Sequence, residues 1–325
     1  MKLSCFVLLF ATISCVAQVP PPAVPANPPR PVFLGLNEVE GISVDRFFGQ
    51  PKGQPVHLSH GTLLTHAILT AGNPNQPGAQ GAVLEYRKLL ATADLMPGSQ
   101  TPLETYSDEY FFYVKDGEGR LEDGKQSWNL REGIAVLVPP SVAHRFINTS
   151  DKPLSMIMLQ WTGGPNAKNA LIVRDTHLLP WCEENAHWNN TSRCIFSAAD
   201  GLLQGERIYT VMLQPWAVSQ PHSHTPGTEE IWTKISPGSI PVLMGSDLRE
   251  MTENMAYLVP PTGKTDHSNI NVSKDRVDWW VYVARGPAPN PNAPPRPQRQ
   301  QNGRPENPNL SRDAQAATIP GKPIH

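Results

Sequence analysis

Apolar residues in the middle of the chain recur in short alternating or continuous runs, and none of these runs has a helical period. The clearest is the aromatic run at residues 110–114, which a Gly-rich turn follows. Asp123-Gly124 is typical of a hairpin turn, and the apolar run 134–138 stops at Pro139-Pro140. Strands are predicted at residues 61–70, 82–90, 110–114, 120–122, 134–138 and 154–161. Many short strands at close spacing predict an all-β sandwich or barrel.

An internal repeat divides this β-rich region into two copies. The first copy reads Leu130-Arg131-Glu132, Ala135, Leu137-Val138-Pro139-Pro140, His144 and Asn148, and the second reads Leu248-Arg249-Glu250, Ala256, Leu258-Val259-Pro260-Pro261, His267 and Asn271. In each copy the histidine precedes the asparagine by four positions. The repeat therefore predicts two β-barrels in tandem.

The second copy carries a concentration of metal-ligand residues. His222 and His224 are two apart, so on a strand their imidazoles point to the same side. A turn sequence then leads to Glu229-Glu230, and His267 follows a later Pro-Pro turn. Three imidazoles and a carboxylate form a metal site with nitrogen and oxygen ligands. The alternative is that these histidines are solvated or packed without a metal.

These residues resemble the two motifs of the cupin superfamily, G(x)5HxH(x)3–4E(x)6G and G(x)5PxG(x)2H(x)3N. The matching residues are His222, His224 and Glu230 in the first motif, and Pro261, Gly263, His267 and Asn271 in the second. The sequence departs from the pattern in spacing. Glu230 and the following Gly238 each lie one residue too far along, Asn254 replaces a glycine, and one extra residue precedes His267.

The two adjacent glutamates compete for the role of carboxylate ligand. Glu229 fits the His-to-Glu spacing better, whereas Glu230 fits the Glu-Ile-Trp run that follows the ligand in many cupins. We take Glu230 as the ligand. Glu229 stays as the alternative ligand or as a general base beside the metal.

The resemblance implies two tandem cupin-like (double-stranded β-helix, jelly-roll) barrels and one divalent transition metal, which is Mn, Fe, Ni, Zn or Cu. It further implies a metal-dependent oxidoreductase, dioxygenase-like or oxalate-decarboxylase-like, which acts on a small carboxylate or phenolic substrate at the second barrel. The alternative is a non-catalytic binding or storage protein for a sugar or small carboxylate. The resemblance also admits a homo-oligomer.

The first barrel lacks the metal-ligand pattern of the second. Pro102-Leu103-Glu104 stands where the second copy has its HxH, and Asp108 and Glu109 occupy the region of Glu229-Glu230. We therefore expect that the first barrel has lost its metal and serves packing or ligand contact. His144 is then interpreted as a buried structural histidine.

The two ends of the chain differ from its middle. Residues 1–17 have a basic start and an apolar stretch, which predicts a signal peptide cleaved after Ala17 and a secreted or periplasmic protein. Lipoprotein anchoring at Cys15 is the alternative. Residues 18–31 form a Pro-rich linker, and residues 286–325 a disordered tail. The predicted barrels span residues 32–165 and 206–285.

The connector between the barrels, residues 166–205, contains Cys182 and Cys194. In an oxidising compartment such a pair predicts one disulfide, and the alternative is two buried thiols. The net charge of −2, with 17% charged residues, gives no indication of a nucleic-acid or anionic-membrane partner. A small-molecule substrate is expected instead, with no membrane contact after signal cleavage.

Overall fold

The computed structural model describes residues 42–182 and 190–287. The predicted signal peptide, the Pro-rich linker and most of the predicted tail lie outside these residues. Within them, no helix is long and apolar enough to cross a membrane.

The described ranges consist of short strands and three 3-10 turns, at Val44–Phe47, Thr176–Leu178 and Ala198–Asp200. The strands of the first half are β1 (Phe48–Gly49), β2 (Val56–Ser59), β3 (Leu63–Ala71), β4 (Ala82–Leu84), β5 (Leu89–Leu95), β6 (Asp108–Asp116), β7 (Gly119–Glu122), β8 (Ser127–Leu130), β9 (Ile134–Val138), β10 (Arg145–Ile147), β11 (Leu154–Thr162) and β12 (Ile172–Asp175). Those of the second half are β13 (Trp181–Cys182), β14 (Asn190–Phe196), β15 (Arg207–Leu213), β16 (Glu229–Lys234), β17 (Ile240–Met244), β18 (Asp247–Met251), β19 (Ala256–Leu258), β20 (His267–Asn269) and β21 (Asp278–Arg285). The all-β prediction is confirmed, although the strand predicted at 82–90 is divided into β4 and β5.

Each half of the chain folds into a barrel made of one large and one small sheet. The first barrel combines the order β12-β9-β6-β11-β5-β3-β2, with β4 paired to β3, and the small sheet β10-β7-β8. The second combines β1-β19-β16-β21-β15-β14-β13 and the small sheet β18-β17-β20. Each barrel has its own apolar interior cluster. The two-barrel jelly-roll architecture predicted from the repeat is therefore confirmed.

The pairing of strands in the large sheets does not follow the predicted domain boundaries. β1, from the start of the described chain, pairs with β19 of the second barrel. The predicted connector is itself divided, since β12 pairs with β9 of the first barrel while β14 pairs with β15 of the second. The Cys182–Cys194 disulfide, predicted from the sequence, is present and joins β13 to β14.

The repeat is also visible in side-chain bonding, most clearly at the asparagine that ends each copy. Asn148 donates its side-chain amide to the carbonyl oxygens of Leu95 and Lys152. Asn271 donates in the same way to Leu213 and Arg276. Because both amides are buried and tie the end of one strand to a neighbouring loop, these asparagines serve the fold.

The two barrels pack through a third apolar cluster, which contains residues from both of them, among them Phe111, Leu159, Ile231 and Val283. Buried polar contacts cross the same interface. The Arg87 guanidinium pairs with the carboxylate of Glu206, and both side chains are almost fully buried. Arg87 also lies over the ring of Trp161, 4.8 Å from its centroid.

Glu109 lies beside this ion pair and accepts a hydrogen bond from the indole nitrogen of Trp161 at 3.0 Å. Burial of Glu109, together with the nearby negative charge of Glu206, raises its pKa to about 7. The Trp161 hydrogen bond and the Arg87 charge oppose this rise without overcoming it. The barrel interface therefore holds a carboxyl group that titrates near neutral pH.

We expect Arg87→Ala to lower the free energy of unfolding by about 3–5 kcal/mol, because it leaves the Glu206 carboxylate buried without its cation. Lys88→Ala is the matched control. This variant removes the ion pair between Lys88 and Asp108, in which the Lys88 side chain is 48% exposed. It should lower the free energy of unfolding by less than about 1 kcal/mol. Chemical denaturation of the three proteins measures both values. Equal losses in the two variants would contradict the assignment of Arg87 as the buried anchor of the interface.

Titration of Glu109 predicts a pH-dependent stability. Its pKa is higher in the folded protein, at about 7, than the ordinary value of 4.5. The stabilisation from the bound proton is thus complete below pH 4.5 and is lost as the pH rises to about 7, with an upper limit of about 3 kcal/mol. Glu109→Gln should remove this decline, whereas Glu118→Gln, at an exposed position, should keep it. Denaturation midpoints between pH 4.5 and 8 provide the test, and an unchanged slope in Glu109→Gln would refute it.

Candidate metal centre

Three histidines of the second barrel converge because two strand segments pair at their ends. His222 and His267 form an antiparallel bridge, in which His267 donates its backbone N–H to the carbonyl of His222 at 3.1 Å. His224 lies two positions further along. The ring centroids are 4.6 Å apart for His222–His224 and for His222–His267, and 5.1 Å apart for His224–His267. One ring nitrogen from each histidine lies within 4.8 Å of the other two, a geometry that suits one metal ion.

Glu230 brings the carboxylate of the predicted set into this cluster from the start of β16. One carboxylate oxygen lies 2.7 Å from Nε2 of His224, and the other lies 2.9 Å from Nε2 of His267. Burial by itself would raise the pKa of Glu230, but hydrogen bonds from these two imidazoles hold it well below its ordinary range. The four predicted ligands His222, His224, Glu230 and His267 therefore lie together.

Two aromatic side chains orient the Glu230 carboxylate from inside the barrel. Trp232 donates its indole N–H to Oε1 at 2.7 Å, and Tyr282 donates its hydroxyl to Oε2 at 3.0 Å. Both residues are buried. Tyr282 was missed in the sequence, since it lies in an apolar run 52 residues beyond Glu230. Strand pairing brings it there, because β21 runs beside β16.

The structure does not bring Glu229 into the site. Successive strand residues face opposite ways, and its carboxylate instead accepts the backbone amides of Glu85 and Tyr86, at 2.7 and 2.8 Å. Both amides belong to the first barrel. The prediction that Glu229 is an alternative ligand or a base beside the metal is therefore corrected. Glu229 links the two barrels.

The ring of His222 is fixed by a bond to the backbone. Its Nδ1 lies 2.7 Å from the carbonyl oxygen of Gln220, which accepts the Nδ1–H and sets the tautomer. Metal-binding histidines commonly have such a partner on the second ring nitrogen. His222 and His224 are partly exposed, whereas His267 is buried, so the cluster is reached from the barrel mouth.

Below the cluster the barrel is filled with aromatic rings. Trp232, Tyr257, Trp280 and Tyr282 are buried and pack against one another. The Tyr257 hydroxyl donates to Asn269 at 3.0 Å. These rings keep water away from the inner side of the cluster. A ligand would therefore have to approach from the side of His222 and His224.

The same position in the first barrel has different residues, which the pairing of the strands identifies. Glu104 forms an antiparallel bridge with His144, as His222 does with His267. Glu104 thus replaces His222, and Tyr106, two residues on, replaces His224. Tyr110 replaces Glu230, since Phe111 and Ile231 pair with the equivalent Leu137 and Leu258.

Comparison with known proteins identifies the fold. Residues 91–160 match the family model described as Cupin domain. The two barrels have the tandem arrangement of solved two-barrel cupin structures, so the chain has the cupin fold. A comparison with curated proteins by sequence found no match. The matched residues lie in the first barrel, so assignment of the second depends on structural similarity and on the internal repeat.

Solved structures resemble this chain over most of its length at low sequence identity. Ylba from E. coli has a TM-score of 0.58 and 12% identity, covering 75% of this chain and 92% of its own. A single-substitution variant of the oxalate decarboxylase of Bacillus subtilis has a TM-score of 0.54 and 10% identity, covering 75% of this chain and 78% of its own. The 7S globulin of Momordica charantia has a TM-score of 0.54 and 9% identity, covering 75% of this chain and 85% of its own. Identities this low establish the shared fold alone.

The donor set fits a divalent transition metal, because neutral imidazoles and one carboxylate suit such ions.

We expect Tyr282→Phe to weaken divalent-metal affinity by roughly 10-fold, since it removes one of the two donors that orient Glu230. Tyr257→Phe is the control, because it loses a buried hydroxyl that bonds Asn269 instead. Titration with Zn²⁺ or Mn²⁺ measures both affinities. Equal weakening in the two variants would indicate a general packing defect.

Proposed function

We propose that this cupin is a metal-dependent oxidoreductase whose active centre is the second barrel. One divalent transition metal would be held by His222, His224, Glu230 and His267. The observation that carries the proposal is the convergence of three imidazoles on a buried carboxylate that Trp232 and Tyr282 hold in place. Four protein ligands would leave two positions of an octahedral ion open.

The substrate class follows from those open positions and from the mouth of the barrel. When bound, the metal supplies a Lewis acid that polarises substrate oxygens and, for an oxidase, a binding position for dioxygen. A small carboxylate or a phenolic compound presents oxygens of this kind. The partly exposed His222 and His224 form the entrance. The buried rings beneath exclude water from the inner side of the centre.

The setting proposed for this activity is outside the cytoplasm. The predicted signal peptide with cleavage after Ala17 directs export, and the Cys182–Cys194 disulfide suits an oxidising compartment. We also propose a homo-oligomer, by analogy with the storage globulins and oxalate decarboxylases of the same fold.

A second candidate is a non-catalytic protein that binds or stores a sugar or small carboxylate. Its support is the structural similarity to 7S globulin, with a TM-score equal to that of oxalate decarboxylase. Turnover separates the candidates. Oxygen consumption or carbon dioxide release from small carboxylates or phenolics by the metal-loaded protein favours the enzyme. Saturable binding without turnover favours the binding protein.

The ligand assignment predicts metal content directly. His222→Ala and His267→Ala should each lose most of the bound divalent metal after reconstitution with Mn²⁺, Fe²⁺ or Zn²⁺, because each removes one of four ligands. His144→Ala, the equivalent change in the first barrel, should leave the content unchanged. Elemental analysis of the dialysed proteins measures this. Equal losses in all three would show that the first barrel also holds a divalent ion.

The adjacent glutamates give a sharper form of the same test. Glu230→Gln should lose metal, whereas Glu229→Gln should keep it, because only Glu230 faces the histidines. Retention of metal by Glu230→Gln together with loss by Glu229→Gln would overturn the ligand assignment.

A further inference from the structure

Two histidines of the first barrel lie buried at its mouth. His144 is on the segment that pairs with Glu104, and His60 comes from outside the repeated motifs, directly after β2. Their exposures are 1% and 4%, and their ring centroids are 5.1 Å apart. That separation falls within the 4.6–5.1 Å range of the three rings in the second barrel. The backbone of His60 adopts a left-handed φ of 48°, which is uncommon for a residue other than glycine.

The Nδ1 atoms of both rings have hydrogen-bond partners. Nδ1 of His144 lies 3.1 Å from the carbonyl oxygen of Val142, two residues earlier in the chain. Nδ1 of His222 has an equivalent partner, the carbonyl oxygen of Gln220, at 2.7 Å. Nδ1 of His60 lies 2.7 Å from the hydroxyl of Ser59. That hydroxyl also lies 3.9 Å from the sulfur of Met158, so it can donate there while its oxygen accepts the Nδ1–H of His60. With the proton on Nδ1, each ring presents a lone pair on Nε2.

Both Nε2 atoms are buried, and neither has a hydrogen-bond partner among the described residues. An unpartnered buried acceptor costs about 1–3 kcal/mol. One cation, or one water molecule that donates two hydrogen bonds, would satisfy both lone pairs. Each ring also has the arrangement of a metal-binding histidine, with one nitrogen bonded to a fixed acceptor and the other presented to the ion.

The residues around the two histidines favour a monovalent cation over a divalent one. The walls are the rings of Tyr106, Tyr110 and Phe112, whose centroids lie 4.3, 4.8 and 5.5 Å from that of His60. The nearest carboxylate on the paired segment, Glu104, is exposed and accepts a hydrogen bond from the Tyr106 hydroxyl at 3.2 Å. A divalent ion would leave two charges buried without an anion beside them, which is costly.

We propose that the first barrel binds one monovalent copper ion between Nε2 of His60 and Nε2 of His144. A single positive charge suits two neutral ligands, and aromatic faces add a favourable interaction with a cation. Imidazole is a suitable ligand for copper. The exposed carboxylate of Glu104 at the rim would attract the ion. The site is separate from the divalent centre of the second barrel and does not depend on it.

The test uses the full-length protein with His222→Ala and His267→Ala, so that the second-barrel cluster cannot take up the probe. Cu(I) is added anaerobically in competition with the chromophoric chelator bicinchoninate. One Cu(I) per chain is expected. Introducing His60→Gln or His144→Gln into this background should abolish uptake, whereas His57→Gln, at an exposed position on β2, should leave it unchanged.

Further measurements distinguish the loss of a copper ligand from a folding defect. His60→Gln and His144→Gln in the otherwise unchanged protein should keep near-wild-type near-ultraviolet circular dichroism and bind divalent metal in the second barrel. X-ray absorption of the Cu(I) protein should show a low-coordinate, all-nitrogen environment. The proposal is overturned by no Cu(I) uptake in the His222→Ala/His267→Ala background, by uptake that survives His60→Gln, or by equal loss in His57→Gln. None of these outcomes affects the proposed divalent centre.

Discussion

The register of β16 determines where two adjacent carboxylates go, and much of the molecule depends on that choice. Its pairing with β21 and β19 turns Glu230 toward the three histidines and Glu229 toward the other barrel. A shift of one residue would exchange them, since side chains alternate along a strand. Glu229 would then take the place of Glu230 beside the histidines, and Glu230 would face the other barrel. The candidate site and the domain interface are thus set by one strand.

The two barrels share a framework but differ in the side chains at its mouth. In both, an antiparallel bridge joins a histidine of the second motif to the preceding segment, at Glu104–His144 and at His222–His267. Tyr110 replaces Glu230, so the first barrel has no buried carboxylate at this position. The result is an aromatic chamber with two neutral imidazoles in one barrel and a cluster of imidazoles around a carboxylate in the other. The shared backbone accommodates both because the sheet hydrogen bonds do not depend on these side chains.

Buried charge serves a different purpose at the interface. Arg87, Glu206 and Glu109 lie between the barrels, where desolvation is costly and each group depends on its neighbours. The pairing of β1 with β19 of the second barrel adds backbone hydrogen bonds to these contacts. The barrels are therefore joined by sheet, core and ion pair together.

The strand pattern, the repeat and the identity of the clustered histidines were predictable from the order of residues along the chain. Strand periodicity and Pro-Pro turns depend on local chemistry, and the HxH spacing places two imidazoles on one face wherever a strand forms. The Cys182–Cys194 disulfide was also predictable, since residues 18–325 contain no other cysteine. Spacing could not choose between Glu229 and Glu230, because they are adjacent and the choice depends on strand register.

The remaining contacts depend on the pairing of strands that are far apart in the chain. Tyr282 reaches Glu230 because β21 lies beside β16, and His60 meets His144 although 84 positions separate them in the chain. The division of the connector between two sheets had no local signal either. Contacts of this kind arise when distant strands pair, and a linear pattern of residues carries no record of which distant strand becomes the neighbour.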